Sequence, residues 1–248
     1  MDELQIISSS KLSEHPNVVF GFSTRLGGVS PEPYGLNLSH SVEDDPGRVV
    51  ENRKLFFGKL GIGVDELAIP EQCHSTTVRN VYHPGGYEKC DALATKERRV
   101  FLVVSVADCV PMFIYDPIRN VVATVHVGWR GSASGIVRET LGLLSTEFST
   151  IAADLIVYLG PSARSCCYEV GDEVAKKFPA YSLRLKSTGK FFLDLHTVSK
   201  TQLIDNGVKD DRIEEDGRCT ICSPGVFHSY RRDGPQSGRM MGVIGLLR

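Results

Sequence analysis

Three apolar runs, at 100–106, 111–115 and 121–127, constrain this chain more than any other feature. They are short and rich in β-branched and aromatic residues, which pack well on a pleated surface and fit a helix less well. Asp116-Pro117-Ile118-Arg119-Asn120 separates the last two, so they read as two strands joined by a turn. The first, interrupted by Ser105, reads as a buried strand and is far too short to span a membrane.

Other elements alternate around this centre. Residues 18–22 are strand-like and enter a loop that continues through Pro31, Pro33 and Gly35 to Asn37-Leu38-Ser39. Asp45 reads as a helix N-cap with Pro46 at the first helical position. Val49, Val50, Phe56, Phe57 and Leu60 then follow at helical spacing, and Gly61 closes the helix. Arg53 falls on that apolar stripe. A second helix is expected to begin near Ser132 or Ser134, with Ile136, Val137, Thr140, Leu141, Leu144 and Phe148 on one face. Residues 155–159 read as a strand, 170–178 as a helix stopped by Pro179, and 226–230 and 240–246 as closing strands. Asp194 is expected to cap a helix over 195–206, with Gly207 just past its end. Strands and helices mixed throughout argue for an α/β or α+β fold around a large sheet system. No linker, repeat or low-complexity stretch divides the 248 residues, so 1–248 reads as a single domain.

The hydrophobic fraction is 42% and the formal net charge −2, which gives none of the basic footprint of a nucleic-acid binder. The 7 Cys are odd in number, and two of them, Cys166 and Cys167, are adjacent. This is not the pattern of a disulfide scaffold and points to reduced thiols. The first residues offer neither a charged leader nor an apolar core of a signal peptide, so a cytoplasmic location and no membrane partner are expected.

Three segments carry residues suited to chemistry: Gln72-Cys73-His74-Ser75, Ala107-Asp108-Cys109-Val110-Pro111 and Val125-His126-Val127-Gly128-Trp129-Arg130-Gly131. Each sets a His or Cys at a strand end or in the loop beside it, where sheets build sites. Cys109 and His126 flank one predicted hairpin, 126 − 109 = 17 residues apart, and folding brings them toward one end of the sheet. Two imidazoles and one thiolate suit Zn²⁺ and leave a position open, as in catalytic zinc sites. The same Cys109 and His126 also suit a thiolate–imidazolium pair for nucleophilic catalysis. The residues alone leave both readings open. Asp91 and Asp108 are proton-shuttle candidates by type.

Arg53 on its apolar face, and Arg25 in a Gly-rich loop, are candidates to bind substrate anions. Arg130 reads as a helix-lead salt bridge, Tyr230-Arg231-Arg232 as a solvated turn, and Cys219-Thr220-Ile221-Cys222 as structural thiols. No P-loop occurs, and no Gly-x-Gly-x-x-Gly follows a strand.

At these segments the chain resembles a bacterial family described both as laccase-domain or multicopper polyphenol oxidase proteins and as zinc-dependent purine nucleoside phosphorylases with adenosine deaminase activity. The matching stretches include Thr24-Arg25-Leu26-Gly27-Gly28-Val29-Ser30, Asn52-Arg53, Gln72-Cys73-His74-Ser75, Asp91-Ala92-Leu93, Ala107-Asp108-Cys109-Val110-Pro111, His126-Val127-Gly128-Trp129-Arg130-Gly131, Cys166-Cys167-Tyr168-Glu169-Val170-Gly171 and Ser229-Tyr230-Arg231-Arg232-Asp233. Two stretches depart from the family pattern, Val42-Glu43-Asp44-Asp45 and Gly225-Val226-Phe227-His228.

The resemblance implies an α+β layered sandwich of mixed β-sheets flanked by helices, similar to the toxin-type cysteine hydrolase fold. It implies zinc as the cofactor, with His74, Cys109 and His126 as both metal ligands and catalytic residues. It also implies phosphorolysis of adenosine, inosine and methylthioadenosine to free base and sugar 1-phosphate, with adenosine deamination as a side activity. Its partners are then a small purine nucleoside and phosphate. Two alternatives accompany this reading. One is a metal-free Cys–His hydrolase or deamidase. The other is a copper polyphenol oxidase, which the 7 His without any His-x-His pair support poorly.

Overall fold

In the computed structural model, which describes residues 3–186 and 189–247, alternate residues of the predicted hairpin face two different cores. Met112 and Ile114 of strand Val110–Asp116, with Val125 and Val127 of strand Val121–Val127, pack toward helices Ile136–Phe148 and Leu195–Asp205. Phe113, Tyr115 and Val122 face the other way, against Phe22, Val104 and Ile244. The period-2 alternation therefore builds a sheet covered on both faces, which is why every residue of these two strands is buried.

Two six-stranded mixed sheets stack through that shared core. One runs Ile6–Ile7, Val18–Ser23, Met240–Leu246, Phe101–Val106, Leu67–Pro70, Gly85–Tyr87. The other runs Ile213–Glu215, Ile156–Leu159, Val110–Asp116, Val121–Val127, Ala92–Thr95, Val78–Asn80. Phe101, Val103, Met241 and Val243 turn the outer face of the first sheet toward Phe56 and Phe57 of helix Pro46–Lys59. The result is an α+β sandwich of helix, sheet, sheet and helix layers, as expected. Gly242 makes room between the sheets, since a Cβ there would collide with the Phe113 ring. No helix among the described residues is long and apolar enough to cross a membrane.

The caps behave as their chemistry requires. Asp45 accepts from Arg48 N at 2.9 Å and Asp194 from Thr197 N at 3.1 Å. Asn52, buried on helix Pro46–Lys59, accepts from Val29 N and donates to Ser30 Oγ, Gly35 O and Asn37 O, which ties the long loop to the helix.

Four local expectations need correction. The helix after the Gly-Trp-Arg-Gly stretch starts at Trp129 and breaks at Gly135, whose φ of 91° sets a left-handed residue between Trp129–Ser134 and Ile136–Phe148. Residues 170–178 hold only the short helix Asp172–Ala175, because Glu169–Val170 is drawn into a three-stranded sheet with Phe191–Leu193 and Leu183–Leu185. Residues 226–230 are not a strand. Ser229 instead caps a short helix, Tyr230–Asp233, accepting from Arg232 N at 3.2 Å. The Tyr230-Arg231-Arg232 cluster is accordingly no solvated turn: Arg232 donates to Thr220 O, Ile221 O and Phe227 O.

Candidate metal centre

Register places the two hairpin residues. Val110 pairs with Val127 and Pro111 with His126, so Cys109 lies just beyond the end of the ladder, level with Gly128. Cys109 also sits at the crossing from one sheet to the other, between Phe101–Val106 and Val110–Asp116. His74 lies on the equivalent crossing, between Leu67–Pro70 of the first sheet and Val78–Asn80 of the second. Because Leu67–Pro70 and Phe101–Val106 are parallel neighbours, both crossings leave the first sheet at the same end. Gln72 fastens them together, donating to Ser105 O and accepting from Ser105 N, each at 2.8 Å.

The ligand atoms of His74, Cys109 and His126 lie within 4.8 Å of one another. The two imidazoles meet edge to face, with centroids 4.8 Å apart. His74 has φ 61° and Asp108, next to Cys109, has φ 94°. Each costs of order 1–3 kcal/mol for a residue with a Cβ, the kind of strain that gathers at functional sites. Gly128 completes the space. A Cβ there would lie 2.8 Å from His74 Cδ2 and 3.2 Å from Cys109 Sγ.

Asp91, almost fully buried, organises the group. Its Oδ1 accepts from His126 Nδ1 at 2.7 Å and from His74 N at 2.9 Å. Its Oδ2 accepts from Ser75 N at 2.7 Å, Ser75 Oγ at 2.8 Å and Cys73 N at 3.2 Å. With Nδ1 donating to Asp91, His126 keeps only Nε2 for a metal or a proton. Burial alone would raise the Asp91 carboxyl, but the His126 and Ser75 donors hold it well below the usual carboxylate range. Burial likewise pushes the Cys109 thiol up, and the His126 charge with hydrogen bonds from both imidazoles brings it down to about 6. Burial pulls His126 down, and Cys109 with Asp91 more than reverses that, raising it to about 9. Without metal, the two shifts both favour the thiolate–imidazolium form of the pair.

The group opens on a cavity of about 760 Å³, within the range of small-molecule sites. Trp129, Tyr168 and Tyr230 give it aromatic walls, and Arg130, Arg231 and Arg239 give it positive charge. Arg130 lies 4.2 Å over the Trp129 ring and has no carboxylate partner among the described residues, so the expected salt bridge is not formed. Burial lowers the pKa of Arg239, whose guanidinium donates to Ser237 O and Gly238 O.

The other candidates fall elsewhere. Arg25 is held by Glu32 at 2.5 Å, Pro33 O and Pro224 O, and does not line the cavity. Arg53 donates to Leu38 O at 2.7 Å, next to Ser39 and Ser41 on the cavity rim, and itself stands behind that rim. Asp108 is anchored at both oxygens, by Thr220 Oγ1 and Arg231 N, each at 2.6 Å. Asp91 and Asp108 both therefore act as anchors of the local turns in this structure. Gly128, Tyr168 and Arg239 were not visible as site residues in the sequence, and Asp91, a proton-shuttle candidate by type there, instead orients His126 and the His74 loop. Only pairing of Ala92 with Val125 brings Asp91 beside His126, and no local pattern announces that pairing.

Residues 19–247 match the family described as multi-copper polyphenol oxidoreductase laccase. A purine nucleoside phosphorylase of Deinococcus radiodurans is 37% identical, over 93% of this chain and 90% of its own length. YlmD of Bacillus subtilis, also named a purine nucleoside phosphorylase, is 33% identical over 92% of this chain and 88% of its own. An adenosine deaminase, RL5, from an unknown prokaryotic organism is 32% identical over 96% of this chain and 97% of its own. The crystal structure of YlmD from Geobacillus stearothermophilus superposes with a TM-score of 0.92, at 30% identity and over the full length of both chains. By these matches the chain belongs to the multi-copper polyphenol oxidoreductase laccase family.

Proposed function

We propose that this protein is a zinc-dependent purine nucleoside phosphorylase with adenosine deaminase side activity. In this reading it cleaves adenosine, inosine and methylthioadenosine with phosphate to free base and sugar 1-phosphate. The observation that carries the reading is the convergence of three donor atoms within 4.8 Å, on a cavity that also presents arginines and aromatic rings. The names of the relatives, phosphorylase and deaminase, support both activities at one site.

The residues fit zinc on chemical grounds. Two imidazoles and a thiolate form a borderline-soft donor set, and three protein ligands leave a position open to substrate. Gly128 leaves the donors room to approach, and Asp91 accepts from the far nitrogen of His126, as a carboxylate usually does behind a zinc-bound histidine. Bound there, zinc supplies a Lewis acid that polarises a phosphate oxygen or a water beside the nucleoside.

The chain's own groups do the rest. Arg130, exposed at the cavity and without a carboxylate partner among the described residues, and the half-buried Arg239 hold phosphate through charge-assisted hydrogen bonds. Trp129, Tyr168 and Tyr230 offer flat surfaces to the purine and exclude water from it. A phosphate oxygen then forms the bond to the anomeric carbon as the glycosidic C–N bond breaks, and the leaving base takes up the proton that the hydrogen phosphate gives up. A cytoplasmic setting belongs to this reading, since all seven cysteines are unpaired and a reduced Cys109 is required of a ligand.

A second reading rests on one specific observation: Cys109, His126 and Asp91 also form a nucleophile, base and orienting-carboxylate relay. It leaves His74 without a role. Product analysis separates the two. Chromatography of adenosine or inosine incubated with the enzyme should show free base and ribose 1-phosphate only when phosphate is added. Equal base release without phosphate would make the protein a hydrolase.

A further inference from the structure

Two cysteine pairs unused by this chemistry meet in space. Cys166-Cys167 follows strand Ile156–Leu159, and Cys219-Thr220-Ile221-Cys222 follows strand Ile213–Glu215. Those strands are parallel neighbours, paired from Val157 with Ile213 to Leu159 with Glu215, so their loops leave the sheet at one end. A bridge between Ser162 and Cys219, with Thr220 N donating to Ser162 O at 3.0 Å, holds the loops together. The four Sγ atoms all lie within 4.8 Å of one another, and Cys166 and Cys222 are 3.7 Å apart. A disulfide needs about 2.0 Å. A tetrahedral ion with metal–sulfur bonds of about 2.3 Å sets its sulfurs roughly 3.8 Å apart.

The geometry points to a second metal site in this chain, a structural zinc held by Cys166, Cys167, Cys219 and Cys222. Four protein thiolates leave no open position, which makes the site structural rather than catalytic. The surroundings are arranged for thiolate. Arg164 N donates to Cys219 Sγ at 3.5 Å. A divalent ion bound there takes the place of the thiol protons.

The site also sits where it can position the cavity. Cys167 precedes Tyr168 on the cavity wall. Thr220, between the other two cysteines, donates to Asp108, the residue before Cys109. Arg232 ties Thr220 O and Ile221 O to the short helix that carries Tyr230 and Arg231. A metal clamp here fixes both flanks of the cavity without touching substrate.

The test is zinc content and sulfur coordination, measured on protein purified with reductant and without chelator. The wild-type chain should carry two zinc ions. The double variant His74→Ala/Cys109→Ser should keep one, and its zinc X-ray absorption should show four sulfurs at about 2.3 Å. Cys166→Ser/Cys222→Ser should lose one zinc and retain the one with nitrogen neighbours. If that variant does not fold, the His74→Ala/Cys109→Ser spectrum decides alone. A zinc-free His74→Ala/Cys109→Ser protein, a nitrogen- or oxygen-rich shell on it, or a Cys166–Cys222 disulfide in the reduced wild type overturns the proposal. A wild type with one zinc and nitrogen neighbours would overturn this site and leave the His74–Cys109–His126 reading intact.

Discussion

Asp91 Oδ1 receives the His126 ring at 2.7 Å and the His74 amide at 2.9 Å, so one buried carboxylate orients two of the three candidate ligands. Replacing it by Asn turns an NH₂ group toward donors on at least one side. Asp91→Asn should lower zinc affinity by about 10–100-fold, the usual cost of losing the carboxylate that orients a ligating histidine. It should also destabilise the fold by about 1–3 kcal/mol, since the Ser75 and Cys73 donors lose their acceptor. Chelator competition and urea denaturation measure the two effects. Unchanged affinity would remove Asp91 from the account.

Among the glycines of the described residues, Gly128 is the one whose added Cβ would meet both His74 and Cys109. Gly128→Ala would place a methyl 2.8 Å from His74 Cδ2. Zinc affinity and turnover should both fall at least about tenfold, because a shift of an ångström at a ligand spoils the coordination geometry. Gly142, which has open space around its Cβ position, is the control: Gly142→Ala should leave zinc content unchanged.

Removing the metal exposes the pH behaviour of the ligands. The Cys109 thiol, depressed to about 6, contributes stability that is present above the unfolded value of about 8.5 and lost as pH falls through 6. His126, raised to about 9, contributes fully below about 6.5 and loses that contribution as pH rises through 9. The charged pair therefore persists between pH 6 and 9. In metal-stripped protein, iodoacetamide should modify Cys109 with a half-maximal rate near pH 6, followed by peptide mass spectrometry. A midpoint near the ordinary thiol value of about 8.5 would contradict the pairing.

The arginines separate substrate contact from scaffolding. Arg130→Ala should raise the KM for phosphate by about 10–100-fold, the scale of a lost charged hydrogen bond, with zinc content and melting temperature unchanged. Arg25→Ala should do the opposite. It removes the tie among Glu32, Pro33 and Pro224, lowering stability while leaving the KM for phosphate within about twofold. Steady-state kinetics beside thermal melts reads both.

The strands were legible because alternation and β-branching report burial directly, and the Asp45 and Asp194 caps because a cap is a local hydrogen bond. His74, Cys109 and His126 were legible as types at strand ends, and the fold gathers all three. What failed was whatever depended on distant partners. The segment after Val170 looked helical until its pairing with Phe191 claimed Val170 for a sheet. Residues 226–230 looked like a strand by composition, yet Ser229 found a capping bond instead. Arg25 and Arg53 carry the right charge, but their acceptors, Glu32 and Leu38 O, come from loops whose path no periodicity encodes. Asp91 was legible by type alone, as a proton shuttle; its orienting role was not, because that comes from the ladder between Ala92 and Val125.

Zinc stoichiometry and activity measured together on Cys109→Ser and His74→Ala test the central claim most directly. A hydroxyl is a poor ligand in place of a thiolate, and an alanine offers none. Each variant should therefore lose one zinc equivalent relative to the wild type, together with phosphorolysis of adenosine. Loss of activity in Cys109→Ser with wild-type zinc content in both variants, and only a mild effect of His74→Ala, would contradict the metal-centre account and leave Cys109 as a nucleophile.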